Sequence, residues 1–330
     1  MPSGRPLDPR RTARALEVAA VAARLTPWAR GTPPWEVRVR PGTLELRTEC
    51  LRGSPAPDRR FREPLQGAGV ALLGARASLA AAGLAVAVQR LPRGADPDLL
   101  AEVRPVEGPP DAALAALAPG AGAVPTVAER WPGPLGATVA RLPSELVRTL
   151  VEAAAAEEVT LVPVDREDRL RLLAELVRAA ELGRGAGKAD RAEPVDVRPG
   201  AGQTVVLLTT ARDDELAWLR SGEARQRVLR VADAHGWAGA PLHQVVGVPV
   251  VRMQVRSALS WNAHPQDLLR LGPVTATPVG PVALDLTPRS ADRGAGRVTP
   301  AGRPPHRSGR APGQPAPGGP RPSGRAPSSR

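Results

Sequence analysis

The residues of this chain that could do covalent or metal chemistry are few and widely separated. Cys50 is the only cysteine, and the four histidines lie at positions 235, 243, 264 and 306. A single cysteine can form neither an intramolecular disulfide nor a thiolate metal cluster, and the histidine spacing matches no metal-ligand pattern. The spacing also assembles no Ser–His–Asp or Cys–His arrangement. We therefore predict no metal site.

Two glycine-rich stretches invite comparison with phosphate-binding loops. Residues 183–188 read GRGAGK, but the glycine spacing is one residue short and Ala189 stands where a phosphate loop needs Ser or Thr. Residues 67–74 read GAGVALLG, which is not GxGxxG. We interpret the second stretch as close helix packing. The acids at 213–215 are typical of a helix N-terminus rather than of a metal site.

Residues 218–244 read WLRSGEARQRVLRVADAHGWAGAPLHQ. Helical spacing places a set of small residues within one arc about 100° wide. These are Ala217, Ser221, Ala224, Val228, Val231 and Ala232. His235 falls on the same face, so we expect it to be buried. Glu223 and Arg227 fall on another face as an i,i+4 ion pair. This small stripe would let either another helix or a flat ligand approach the helix backbone closely.

Helices and strands alternate along the rest of the chain, which indicates an α+β or α/β class. Alternation of apolar and polar residues around Pro41-Gly42 predicts a β-hairpin at 35–47. The spacing predicts helices at 11–25, 69–82, 144–158, 166–182, about 213–235 and 249–260, and further strands at 84–91, 159–164, 203–210 and 266–272. The Pro/Gly-rich stretch 105–136 is interpreted as a linker between two halves.

The net charge of +12 is concentrated near the C-terminus. Residues 287–330 contain nine arginines and one acid, a net of +8, which leaves +4 for the rest of the 330 residues. This segment is too poor in large apolar residues to fold, so we predict a disordered tail. It could touch nucleic acid weakly, but it has no aromatic residue for base stacking. With no apolar leader and no run of 18 apolar residues, we expect a cytoplasmic protein without a membrane partner.

The stretch 218–244 resembles a segment of the nitroreductase superfamily, W-L-x-A-G-E-A-x-Q-x-V-L-x-x-A-x-x-x-G-x-x-x-x-P-L-x-Q. The match continues through Pro265-Gln266 and 268–272, and LPSELVRTLVEAAAAEEVTLVPV (142–164) resembles the family's central helix and strand. Arg76 stands at the family's arginine position in the first half. The most similar branch is single-chain and internally duplicated, with a resemblance that covers roughly residues 11–286.

The resemblance implies an α+β, FMN-binding, nitroreductase-like fold in which two tandem halves form a pseudo-dimer. We expect an N-terminal half at 11–120, a C-terminal half at 121–286 and the tail at 287–330. It implies FMN as cofactor, with Arg130 and Arg270 as phosphate partners and the turn of Pro241, Leu242 and Gln244 at the flavin's edge. NAD(P)H and a small nitroaromatic or quinone-like compound would be the substrates. The chain would be a monomeric pseudo-dimer or a homodimer.

Several polar positions of the family's flavin site hold other residues here. The first-half arm reads TPWARGTPPW (26–35), with Trp28, Arg30, Gly31 and Pro33 where the family has Ser, His, Asn and Gln. Val279 and Gly280 replace two arginines near the C-terminus. Two hypotheses follow. One is an FMN-dependent NAD(P)H oxidoreductase, whose activity these replacements could attenuate. The other is a flavin-poor pseudoenzyme that serves as a small-molecule or protein binding module.

Overall fold

The first hairpin forms as its alternating sequence predicts. In the computed structural model, β1 (Trp35–Arg40) pairs antiparallel with β2 (Thr43–Thr48). Gly42 in the turn has a φ of 76°, which favours glycine. The structure describes residues 7–26, 33–48, 57–92, 96–118, 141–164, parts of 166–176, 204–242, 246–259 and 262–273.

The first half contains one four-stranded antiparallel sheet and the helices around it. The further elements are α1 (Pro9–Arg24), α2 (Pro57–Ala81), β3 (Ala85–Arg90), β4 (Leu99–Val106) and the short α3 (Ala112–Ala115). The strand order is β1-β2-β4-β3. The helix predicted at 69–82 is only the C-terminal part of α2, which starts at Pro57. The linker predicted at 105–136 was wrong at its start, because β4 and α3 occupy that part.

The second half repeats this arrangement. Its elements are α4 (Ser144–Ala155), β5 (Thr160–Val164), β6 (Thr204–Thr210), α5 (Glu215–Ala234), β7 (Trp237–Pro241), α6 (Pro249–Leu259) and β8 (His264–Pro273). The sheet order is β5-β6-β8-β7, again antiparallel throughout. Both halves therefore follow the order helix, two strands, helix, two strands, with α6 inserted before the last strand of the second. The α+β class and the tandem halves are confirmed.

Local details repeat as well. Gly83 and Gly236 each stand two residues beyond the last residue of α2 and α5, with φ of 78° and 76°. A left-handed residue at this position ends a helix and turns the chain back onto the sheet. The second strand of each sheet also has a register irregularity against the fourth, at Leu46/Arg47 and at Leu208/Thr209.

The two sheets differ in how they are covered, and their sequences reflect this. The first sheet packs α1 and α2 on one face, while Glu36 and Arg38 on the other face are exposed. The second sheet has apolar clusters on both faces, one with α4 and α5 and the other with α6. A strand that is buried on both faces is largely apolar, which explains the uninterrupted run VVLL at 205–208 within β6.

α2 and α5 cross in close contact at the centre of the molecule. A Cβ on Gly69 would lie 2.0 Å from the carbonyl oxygen of Leu219, and a Cβ on Gly222 would lie 1.9 Å from that of Gln66. Each glycine therefore faces the carbonyl three residues before the other glycine, as a two-fold relation between the helices requires. Of the small stripe on α5, Ser221 contacts Gln66 of α2, whereas Ala224, Val228 and Ala232 pack in the apolar cluster with α4 and the second sheet.

Some expectations fall on residues that the structure does not describe. The boundary expected at 120/121, the arm residues 27–32 and the tail 287–330 are among them. All of the described residues belong to one compact unit, Met1–Thr277. Among the described helices, none is long and apolar enough to span a membrane.

Candidate functional site

The middle of α5 is buried on every side. All residues from Ser221 to Leu229 are buried, although three of them carry charge. Glu223 and Arg227, expected to form an i,i+4 ion pair with each other, instead bind Arg76 with Arg90 and Glu157, respectively. α2 covers one side of the helix and α4 with β3 approach another, so both side chains find partners on other elements.

These partners form a central ion cluster of five residues: Arg76, Arg90, Glu157, Glu223 and Arg227. Arg76 donates from Nη1 to Glu157 at 2.7 Å and to Glu223 at 2.5 Å. Arg90 binds both oxygens of Glu223, from Nε at 2.6 Å and from Nη2 at 3.0 Å. Arg227 donates to Glu157 at 2.8 Å. The cluster connects α2, β3, α5 and the end of α4.

Charge in the central ion cluster does not balance. Three guanidinium groups face two carboxylates, and the Glu157 and Glu223 side chains are only 1% and 0% exposed. Burial opposes the charge on Arg76, but Glu223 and Glu157 outweigh it, so the pKa of Arg76 lies above its ordinary value. Among these five residues the guanidinium groups outnumber the carboxylates by one, and burial strengthens the electrostatic interactions between them.

A second polar network lies at the other end of the crossing. Arg62 of α2 donates to Asp213 at 2.6 Å, and the indole N–H of Trp218 donates to the same carboxylate at 2.7 Å. The guanidinium of Arg62 also lies 5.7 Å from the Trp218 ring centre. Gln66 donates to Ser221 at 3.1 Å and to the carbonyl of Gln266 at 2.8 Å. The network connects α2 to the start of α5 and to β8.

The pKa of Asp213 follows from this environment. Burial raises the pKa of the carboxyl group, but attraction to Arg62 and hydrogen bonds from Trp218 and Arg62 lower it by more. The net pKa lies below the ordinary value, so the carboxylate is ionised at neutral pH. Its neighbour Asp214 caps α5 by accepting from the Ala217 N–H at 2.9 Å. The interpretation of these acids as helix-terminal residues is therefore supported.

Three of the five residues expected to contact FMN lie together where β7 pairs with β8. Arg270 stands opposite Ala240, Pro241 opposite Leu269, and the Leu242 N–H donates to the Leu268 carbonyl at 2.7 Å. Arg270 and Pro241 are half-buried. The Leu242 side chain is 3% exposed and packs in the apolar cluster that α6 covers. Pro241 and Arg270 are thus the accessible parts of this corner.

The other residues that the sequence analysis singled out lie away from this corner or outside the described residues. Arg130 and Gln244 lie outside the described residues. His235 is exposed at the C-cap of α5, where Nδ1 lies 2.8 Å from the Val231 carbonyl oxygen, so its expected burial was wrong. Among the described residues, no three His, Cys, Asp or Glu side chains come together as a metal ion would need.

The sequence analysis missed the central ion cluster because it paired Glu223 with Arg227 of the same helix from their spacing. One signal was available. Gly222 directly precedes Glu223, and a glycine within a helix allows a neighbouring element to approach its backbone closely. The partners Arg76, Arg90 and Glu157 lie on three other elements, so their identity depended on the tertiary structure.

Comparison with known proteins gives the family. Two curated Mycobacterium tuberculosis proteins, from strains CDC 1551 / Oshkosh and ATCC 25618 / H37Rv, have names that provisionally assign them as NAD(P)H nitroreductases. Each is 32% identical over 310 residues, which cover 82% of this chain and 88% of the relative. The chain belongs to the NAD(P)H nitroreductase family. No family model matches it.

Solved nitroreductase structures align with only part of this chain. A Bacteroides fragilis nitroreductase with bound FMN is 16% identical and has a TM-score of 0.33, covering 49% of this chain and 90% of its own. The NADPH:FMN oxidoreductase from Vibrio harveyi in complex with NAD+ is 17% identical with a TM-score of 0.34, covering 47% and 70%. Similarity at that level does not indicate which residues bind a cofactor.

Proposed function

We propose that the chain is an FMN-dependent oxidoreductase that oxidises NAD(P)H and reduces nitroaromatic or quinone-like compounds. The observation that carries the proposal is the 32% identity to proteins named as NAD(P)H nitroreductases, over 82% of this chain and 88% of theirs. A match across nearly the whole length includes both halves rather than one shared segment. It favours the oxidoreductase over the flavin-free binding module.

The described residues offer FMN a suitable set of groups at the β7–β8 corner. Arg270 supplies a guanidinium, whose planar fork of donors matches phosphate oxygens. It lies on the same face of β8 as Leu268, because side chains alternate along a strand. Pro241 supplies an apolar surface without a backbone donor. The donor chemistry of this corner therefore fits a phosphate with an attached flat, apolar group.

Each residue of the corner has a distinct role in the proposal. Arg270, together with Arg130, holds the phosphate, and Pro241 with Gln244 borders the ring. Leu242 anchors the start of the turn, because its side chain is packed in the apolar cluster that α6 covers. FMN, when bound, supplies the ring that accepts and donates hydride. The protein's part is to bind and orient that ring and to exclude water from it.

The visible absorption spectrum of the purified full-length protein tests the cofactor. We expect a flavin band, or its appearance with saturable binding when FMN is added to the colourless protein. NAD(P)H oxidation should then accelerate on addition of a nitroaromatic or a quinone. A protein that takes up no FMN and oxidises no NAD(P)H would contradict the proposal.

Arg270→Gln tests the phosphate assignment. A charge-assisted hydrogen bond contributes about 1.5–3 kcal/mol, so FMN affinity should fall roughly 10- to 100-fold. Arg104→Gln is the matched control, because Arg104 lies on β4 of the other sheet with a side chain that is 56% exposed. It should leave FMN affinity unchanged. Equal effects of the two variants would reject a specific role for Arg270.

A further inference from the structure

The motif Pro265-Gln266 forms a β-bulge in β8, the strand that carries Arg270. Pro265 and Asp267 pair with consecutive residues of β6, so Gln266 is an extra residue that the ladder between the two strands leaves over. A bulge interrupts the ladder and bends the strand that follows it. Because Arg270 follows on the same strand, the shape of this bulge contributes to the position of its guanidinium.

α2 of the first half holds the bulge through two of its side chains. Nη2 of Arg62 donates to the Pro265 carbonyl at 2.6 Å and also to Oε1 of Gln266. Gln66 donates to the Gln266 carbonyl at 2.8 Å. Gln266 itself donates from Nε2 to the Thr210 hydroxyl oxygen at 2.6 Å. The side chains of Arg62, Gln66 and Gln266 are buried, so a lost hydrogen bond there would leave a polar group unsatisfied inside the protein.

The equivalent bulge in the first half is apolar. In β4, Leu99 and Ala101 pair with consecutive residues of β2, so Leu100 is the extra residue. Its side chain is 1% exposed and packs in the core of the first half. An apolar side chain needs no hydrogen-bond partner. The polar side chain bound by the other half is therefore a feature of the β8 bulge and not of bulges in this fold generally.

We propose that Gln266, Arg62 and Gln66 are positioning residues for FMN, which fix the β8 bulge so that Arg270 is presented to the flavin phosphate. The inference rests on the proposed function, in which Arg270 holds that phosphate. Side chains alternate between the two faces of a strand, so the extra residue in the bulge decides on which face of the sheet Arg270 lies. The first half thereby contributes to a cofactor site in the second half through hydrogen bonds to β8.

FMN titration of the full-length protein tests the positioning role with Gln266→Leu, which gives β8 the residue type found at the β4 bulge. Around bound metal ions, loss of a residue that orients a ligand lowers affinity about 10- to 100-fold, and we expect FMN affinity to fall at least about tenfold here. Gln66→Met is the second variant. It removes the donor to the Gln266 carbonyl at nearly constant side-chain length and should give a smaller loss in the same direction.

Leu100→Ala is the matched control, because it disturbs the bulge of the other sheet. The cavity that it leaves should lower the Tm. FMN affinity measured well below the Tm should stay unchanged, since β4 carries no residue of the proposed FMN corner. The control therefore separates a positioning effect from a general loss of stability.

Hydrogen exchange of the protein without FMN gives a readout that does not depend on the cofactor. The Leu242 N–H donates to the Leu268 carbonyl at 2.7 Å, next to the pairing of Ala240 with Arg270. In Gln266→Leu, the amides of 240–242 and 268–271 should exchange faster, because the bulge that fixes β8 is loosened. The amides of the β1–β2 hairpin should keep their wild-type rates.

The positioning role would be overturned by an FMN affinity that Gln266→Leu and Gln66→Met leave unchanged, or that Leu100→Ala lowers as much as they do. If the wild-type protein takes up no FMN, the proposed function fails and hydrogen exchange alone decides this inference. Faster exchange confined to the β7–β8 corner of Gln266→Leu would then support it, and unchanged exchange would overturn it.

Discussion

The close contact between α2 and α5 predicts that Gly222→Ala destabilises the folded protein. The added methyl would lie 1.9 Å from the Gln66 carbonyl oxygen and 2.7 Å from its carbonyl carbon. Both atoms belong to the backbone of α2, so no rotation of a side chain can relieve the overlap. The two helices would have to separate by about 1 Å before the contact reaches the shortest distances that real Cβ atoms show.

The size of the effect comes from two opposing contributions. Alanine in place of glycine favours a helix by up to about 1 kcal/mol. Overpacking of a tight contact costs about 1–3 kcal/mol and more when the backbone must move. Separation also weakens dispersion contacts along the whole crossing, each about 0.1–0.2 kcal/mol. We expect a net loss of at least about 2 kcal/mol, or a Tm lower by about 4–8 °C for a chain of this size.

Gly74→Ala is the matched control, on α2 itself. A Cβ there would lie 3.6 Å from the Ala22 carbonyl oxygen, which is ordinary contact. The helix preference then acts alone, so the Tm should rise by up to about 4 °C. Thermal unfolding followed by circular dichroism measures both variants. If Gly222→Ala raises the Tm as Gly74→Ala does, the close crossing of the two helices is refuted.

Further predictions concern the charged residues. Glu223→Gln leaves the arginines of the central ion cluster with one carboxylate and should cost about 3–5 kcal/mol in urea unfolding, whereas Glu145→Gln at an exposed pair should change little. The lowered pKa of Asp213 means that its contribution to stability is present above the unfolded-state pKa and is lost as pH falls through the folded-state pKa. Asp213→Asn should therefore flatten the fall in Tm below about pH 4; an unchanged acid slope would contradict the pairing with Arg62. Burial, followed by repulsion from Arg256, lowers the pKa of His264, so the unfolded chain binds its proton more readily and stability should decline as pH falls through about 6.5. His264→Gln should remove that part of the Tm–pH profile, and an identical profile would exclude His264 as its source.

Much of the secondary structure could be predicted from local patterns. The hairpin at 35–47 follows from alternation around Pro41-Gly42, and α5 follows from its capping acids and helical spacing. Both signals lie within short windows of sequence. The start of α2 was missed because Pro64 lies inside it, and a proline usually indicates a helix boundary.

The sequence by itself determined the class, the repeated halves and the family, because these depend on periodicity and on motifs that are read along the chain. The tertiary structure alone decided which charges are buried. Helical spacing pairs Glu223 with Arg227, and only the approach of α2 and β3 brings Arg76 and Arg90 to it. Contacts between residues so far apart in sequence leave no local pattern, since each partner satisfies the periodicity of its own element.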